Sequence, residues 1–144
     1  MSCGPSYDVR EKKEVKADGW SYEDKFTFSF EVKDTNQLYD LFLSINHDVS
    51  FPRQNIYVNV YTGRKGDELN KRQLSLEIGD KLGRWLGKCS EEKCERLIPL
   101  QTKTYFDKSG EYIFELEQYT RLDPLPKINS IEFLARENGL KEGV

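Results

Sequence analysis

Phe26-Thr27-Phe28-Ser29-Phe30-Glu31-Val32-Lys33 alternates without a fault, apolar at every even position and polar or charged at every odd one. Side chains two apart share one face of an extended strand, whereas a helix would scatter these three phenylalanines around its cylinder. The stretch therefore predicts a strand with one buried face. The same period returns at Tyr39, Leu41, Leu43 and Ile45; at Ile56, Val58 and Val60; at Leu74, Leu76 and Ile78; at Tyr112, Phe114 and Leu116; and at Ile131, Phe133 and Ala135. Turn-forming clusters separate the runs: Asp34-Thr35-Asn36, Asn46-His47-Asp48, Thr62-Gly63-Arg64-Lys65-Gly66, Asp107-Lys108-Ser109-Gly110 and Asp123-Pro124-Leu125-Pro126. Seven to nine such strands need a second layer to cover their apolar faces. The expected fold is all-β, a two-layer antiparallel β-sandwich of jelly-roll-like order. Within it, Asp107-Lys108-Ser109-Gly110 is expected to form a tight hairpin between a strand near Leu100 and the strand starting at Tyr112.

The totals fit this picture. A chain of 144 residues encloses one core, and aromatic residues at 12% separate it from disordered sequences. Charged residues reach 33%, but the net charge is only −3 and the two signs interleave, so no basic block exists to neutralise a run of phosphates. Nucleic acid is not an expected partner. No stretch approaches the roughly 20 apolar residues of a membrane-spanning helix. Residues 6–16 are charged and aperiodic, so residues 1–17 read as a tether, or at most a weakly attached first strand, ahead of a sandwich domain over residues 18–144.

Residues that could carry chemistry are few. His47 is the one histidine and falls in a polar turn, where it is expected to be solvated; zinc sites and hydrolase triads need more imidazole than this. Glu111, Glu115 and Glu117 occupy the outward face of a strand and read as solvated surface. No catalytic residue, metal or cofactor is expected. Gly83 and Gly87 flank Trp85 in Gly79-Asp80-Lys81-Leu82-Gly83-Arg84-Trp85-Leu86-Gly87, a structural motif in which the chain turns on both sides of an indole that plugs one end of the sandwich. Cys89 and Cys94 could close a small ring as a disulfide in an oxidising compartment, or stay reduced in the cytosol.

Tyr57 and Tyr61 are out of phase with Ile56, Val58 and Val60 and so face away from the core. With Trp20 they are the candidate binding residues, able to stack on sugar rings or anchor a protein partner; the alternative is that they pack under loops. At the start, Met1-Ser2-Cys3-Gly4 looks like an initiator methionine placed just ahead of a cysteine at which a bacterial lipoprotein would begin. Cys3 is either that lipidation site or an ordinary thiol in a frayed terminus.

Six blocks in register resemble the gliding-motility-associated lipoprotein GldH family of Bacteroidetes. They are Asp18-Gly19-Trp20; Phe26 through Val32 into Asp34-Thr35; Tyr39-Asp40-Leu41-Phe42-Leu43; Phe51-Pro52-Arg53-Gln54-Asn55-Ile56-Tyr57; Gly79 through Lys88; and Phe106 with Ser109-Gly110-Glu111-Tyr112 and residues 118–121. The likeness covers residues 18–136. Two departures stand out: Tyr119-Thr120-Arg121 where a methionine-arginine is commoner, and Pro124-Leu125-Pro126 in place of a glycine-isoleucine type of link. The resemblance implies a lipid-anchored envelope protein whose mature chain begins at Cys3, a disulfide between Cys89 and Cys94, and an association with gliding motility and type IX secretion. It implies no catalytic residue. Gly4-Pro5-Ser6-Tyr7 lacks the lysine and acid cluster that directs such lipoproteins to the cell surface, so an outer-membrane anchor facing the periplasm is expected. The expected function is a non-enzymatic binding or assembly component whose partners are envelope proteins, with a carbohydrate-binding sandwich module as the alternative.

Overall fold

Alternating side chains need a partner layer, and the computed structural model, which describes residues 6–142, supplies it with strands alone. The described strands are β1 (Val9–Glu14), β2 (Phe26–Val32), β3 (Gln37–Asp48), β4 (Asn55–Arg64), β5 (Asn70–Glu77), β6 (Lys88–Cys89), β7 (Lys93–Thr104), β8 (Gly110–Gln118) and β9 (Ile128–Leu140). They form two antiparallel sheets, in the orders β1-β9-β3-β7-β6 and β2-β8-β4-β5. The pairs are nested: β1 with β9, β2 with β8, β3 with β7, β4 with β5. The chain thus runs as one long hairpin whose successive rungs alternate between layers. Contacts of β3 with β9 and of β4 with β8 complete each sheet. This is jelly-roll order, with β6 added at the edge of β7.

Two expectations change. The segment Asp107-Lys108-Ser109-Gly110 does not make a hairpin, because β7 and β8 lie in different sheets; it carries the chain from one layer to the other. Asn46-His47-Asp48 is not a turn but the end of β3, paired to both β7 and β9. Of the two readings of residues 6–16, a first strand is the one that forms, since Val9 through Glu14 pair with Ala135 through Ser130. β1 escapes a hydrophobic pattern because it is an edge that closes the seam between layers. Glu11 there accepts the Ser29 N–H of edge strand β2 at 3.3 Å, and the Lys13 ammonium lies 5.8 Å from the centre of the Phe28 ring.

The core is aromatic where the layers meet. Phe133 of β9 lies against Phe28 (6.0 Å between ring centres), Phe30 (5.7 Å) and Phe114 (4.9 Å) of the opposing sheet. All four are buried, Phe28 and Phe133 completely. Tyr39, Phe106 and Tyr112 extend the cluster through Phe30 towards the far end.

The longer connections, residues 15–25, 49–54, 78–87 and 119–127, gather at one end of the sandwich. Here the glycine-tryptophan motif closes the structure. Asp80 accepts the N–H groups of Leu82 and Arg84, each at 2.9 Å, and Gly83 takes a positive φ of 81° to complete the turn. Trp85 then bridges to Gly79, donates its indole N–H to the Val49 carbonyl at 3.2 Å and covers His47, 4.8 Å between ring centres. Gly87 lies against β7 so closely that a Cβ would stand 2.4 Å from the Glu95 carbonyl oxygen. Two residues on, Cys89 is disulfide-bonded to Cys94, its partner across the β6-β7 pair. The bond ties this corner by about 2 kcal/mol on the chain-entropy estimate.

His47 is therefore a core residue, fully buried under Trp85 and Phe51, and not a solvated one. Its Nδ1 donates to the Asp48 carbonyl at 2.8 Å, while Nε2 has no partner. Burial holds its pKa below the ordinary imidazole value, against weaker opposition from Asp48 and Glu95.

Two outcomes follow from this packing. Phe133→Ala removes the ring shared by both layers and is expected to cost about 4 kcal/mol, read as a shift in the denaturant midpoint. Because the folded pKa of His47 lies below the unfolded value of about 6.5, the unfolded chain binds the proton first as pH falls. Stability from this group is complete above that value and declines below it, so the melting temperature of the wild type is expected to start falling near pH 6.5. His47→Leu should remove that onset; an identical profile in the variant would show that the decline arises elsewhere.

Candidate functional site

The outer face of the β2-β8-β4-β5 sheet carries the residues that leave the core pattern of β4, namely Tyr57, Asn59 and Tyr61. The two tyrosines separate in role. The Tyr61 hydroxyl donates to Glu117 at 2.6 Å, Asn59 donates to the same carboxylate at 3.0 Å, and Lys25 stands 3.7 Å from its other oxygen. The Tyr61 ring lies within 6.0 Å of the ammonium groups of both Lys25 and Lys71. Glu117 is thus a structural acceptor and not part of a solvated acidic run. The Tyr61 hydrogen bond holds its carboxyl below the ordinary range, and the same bond raises the Tyr61 phenol. Tyr61 is committed to this cluster and is not a free platform.

Tyr57 pairs instead with Tyr119, beyond the end of β8, 5.9 Å between ring centres and tilted by 40°. The two residues are 44% and 37% exposed. With Arg53, Gln54, Asn55, Thr120 and Arg121 they line an open groove of about 660 Å³. The groove has a rigid floor. The Tyr119 N–H donates to the Tyr57 carbonyl at 2.8 Å, and the Tyr57 N–H donates to Thr120 Oγ1 at 3.0 Å. Buried Gln118 accepts the Thr120 N–H at 2.8 Å and donates to the carbonyls of Trp20 and Leu122 at 3.0 and 2.8 Å. The Tyr22 hydroxyl adds a bond to the Thr120 carbonyl at 2.6 Å.

Trp20 belongs to this support and not to the surface. It is fully buried, exchanges backbone hydrogen bonds with Leu125, and donates its indole N–H to the Asp24 carbonyl. As a stacking platform it is ruled out. Arg53, Tyr119 and Arg121 have no periodicity to mark them in the sequence. Both stretches that supply them stand among the blocks behind the family resemblance, but only folding brings the two together.

Two other features are less suited to a ligand. A cleft of about 260 Å³ opens between the layers, lined by Leu74, Leu100, Phe106 and Phe114 with Arg72 among its polar residues, and falls below the roughly 300–1,000 Å³ of ordinary ligand pockets. Asp40 is a buried carboxylate on the outer face of the other sheet. Burial opposes its charge, but the Lys103 N–H, Asn138 and Arg136 donate to it and outweigh that cost, holding its pKa below the ordinary range. Since Lys103 has a φ of 46° beside irregular β3-β7 register, Asp40 pins a bulge. Among the described residues no group of three or more His, Cys, Asp or Glu is placed to hold a metal ion.

With this geometry in hand, comparison with known proteins is decisive at the level of family. The model of the GldH lipoprotein family matches residues 8–133, from the entry to β1 into the middle of β9. The chain belongs to the GldH lipoprotein family. Membership implies a membrane-anchored envelope protein, although Cys3, the expected point of attachment, lies outside the described residues. No curated protein matches this GldH-family chain. Among solved structures, a family GH115 4-O-methyl-α-glucuronidase with specificity for decorated arabinogalactans aligns at 13% identity and a TM-score of 0.46, over 96% of this chain and 19% of that one. The structure of infectious bursal disease virus, Gx strain, aligns at 10% identity and a TM-score of 0.31, over 96% and 36%. The chain thus spans about a fifth and about a third of those two chains, and at TM-scores below 0.5 neither likeness bears on its function.

Thr120→Val keeps the shape of the groove floor but removes the acceptor for the Tyr57 N–H. It is expected to cost about 1–2 kcal/mol and to speed hydrogen exchange at the Tyr57 amide selectively. Unchanged exchange there would mean that the groove is not held from beneath in this way.

Proposed function

We propose that this protein is a non-enzymatic, lipid-anchored binding component of the cell envelope, acting in an assembly associated with gliding motility or type IX secretion. The observation that carries the reading is the family match over residues 8–133. In this reading Cys3 bears the lipid at the outer membrane, the domain faces the periplasm, and the membrane is engaged through that lipid alone. Envelope proteins of the assembly are the partners.

The layout of the domain supports a division of labour. β1 runs from Val9 towards the end where the longer connections gather, and six strand residues span about 20 Å. The tether therefore leaves one end, while the tyrosine groove and the Trp85 loop lie at the other. An anchored domain of this shape presents its longer connections away from the bilayer. The carbohydrate-binding alternative draws on one observation, the exposed Tyr57-Tyr119 pair, and concerns the ligand more than the anchoring.

In the full precursor, Cys3→Ala is expected to move the protein from the membrane fraction to the soluble fraction with its fold intact; retention in the membrane would overturn the lipid anchor. Loss of the protein from its source cell is expected to impair surface spreading or export of type IX cargo. A cell lacking it that spreads and exports normally would remove it from that assembly.

A further inference from the structure

We infer that the groove between Tyr57 and Tyr119 binds an acidic saccharide, a sugar ring bearing a carboxylate, with the ring against the tyrosines and the carboxylate on Arg53 or Arg121. The inference rests on the reading above of the protein as an envelope binding component, takes its carbohydrate-binding alternative at the Tyr57-Tyr119 pair, and adds the chemical class of the ligand.

The arginines point to the charge. The chain has eight. Arg10, Arg64, Arg84 and Arg136 are paired with Glu132, Asp67, Asp80 and Asp40, and Arg96 donates to the carbonyls of Glu77 and Leu97. Arg53, Arg72 and Arg121 alone make no side-chain hydrogen bond or ion pair among the described residues, and two of these three line the same groove. No carboxylate lines it with them. In a chain whose net charge is −3, two unengaged guanidinium groups in an acid-free groove form a local site for an anion. The guanidinium fork fits a carboxylate with two parallel hydrogen bonds.

The rest of the groove decides between anions. β4, which carries Tyr57, is paired with β8 on one side and β5 on the other, so it offers no free backbone edge to an acidic peptide adding as a strand. Recognition must pass through side chains. The tilted tyrosine pair presents an amphipathic aromatic face of the kind that takes the apolar side of a sugar ring, and the Gln54 amide can both donate to and accept from hydroxyls. Because Gln118 and Thr120 already hold the floor, its backbone loses little freedom on binding.

The test is calorimetric titration of the purified full chain with oligogalacturonate, alginate and hyaluronan fragments, the methyl ester of oligogalacturonate, and a polyglutamate peptide. At least one uronate oligosaccharide is expected to bind, and to weaken as salt is raised. Loss of the charge in the methyl ester, or the double change Arg53→Gln and Arg121→Gln, should each weaken binding of the matching acid about tenfold or more. Tyr57→Ala with Tyr119→Ala should abolish it at an unchanged melting temperature. Silence across all three uronates, equal binding of acid and ester, or equal binding of polyglutamate through the same residues would each overturn the inference. Should the arginine variant fail to fold, the comparison of acid with ester on the wild type still decides. The Cys3 and cell-based outcomes do not depend on this result, so failure here would leave the envelope assignment standing.

Discussion

Contact across the two layers, centred on Phe133 against Phe28, Phe30 and Phe114, is the constraint on which the remaining structure depends. Neither sheet has an independent core, and the nested pairs join segments far apart in the chain, β1 with β9 most of all. Bringing them together costs chain entropy before any strand pair is rewarded. The aromatic cluster offsets that cost because it engages β2, β8 and β9 at once, and through Phe30 also Tyr39 of β3. Once the layers are pressed together, the remaining strands need only complete edges that already exist.

Polar residues buried in this sandwich are specific devices for holding irregular backbone. Gln118 and Thr120 hold residues 119–122 against the Trp20 corner, and Asp40 holds the bulge at Lys103. Each satisfies backbone N–H or carbonyl groups that no ladder reaches. His47 and Asn59 differ, each with one buried side-chain atom unpaired, Nε2 and Oδ1; His47 is held by packing between Trp85 and Phe51, and Asn59 by its bond to Glu117. The groove floor is held by the first of these devices, with Gln118 and Thr120 bonding backbone that lies outside the ladder. Exposed tyrosines on such a floor lose little freedom when covered, the condition under which aromatic side chains contribute most to recognition.

Family membership and the groove answer different questions. The first places the protein among envelope lipoproteins and is a statement about the whole chain. The second concerns seven residues at one corner, and the sequence had divided them between a strand and two loops. The mixture of readings that Tyr57, Tyr61 and Trp20 invite resolves once their environments are known. Tyr57 stands exposed beside Tyr119, Tyr61 is tied to Glu117, and Trp20 is a buried support.

Period-two patterning by itself determined that this is a two-layer β-protein and marked the buried faces of β2, β3, β4, β5, β8 and β9. An alternation records which side of a strand faces apolar neighbours, and that is a local property. It could not reveal β1, whose Glu11 and Lys13 face a seam instead of a core, nor that Asp107-Lys108-Ser109-Gly110 crosses between sheets, since a turn sequence bends the chain without specifying which layer it enters. The disulfide depended on compartment as well as spacing, and His47 looked like turn because its neighbours are polar while its own ring is packed by Phe51 of the next loop and by Trp85, distant in sequence. The groove was decided by tertiary structure alone: Arg53 and Tyr57 meet Tyr119 and Arg121 only because β4 pairs with β8, and pairing is settled by the closing of the whole core, not by any stretch that forms it.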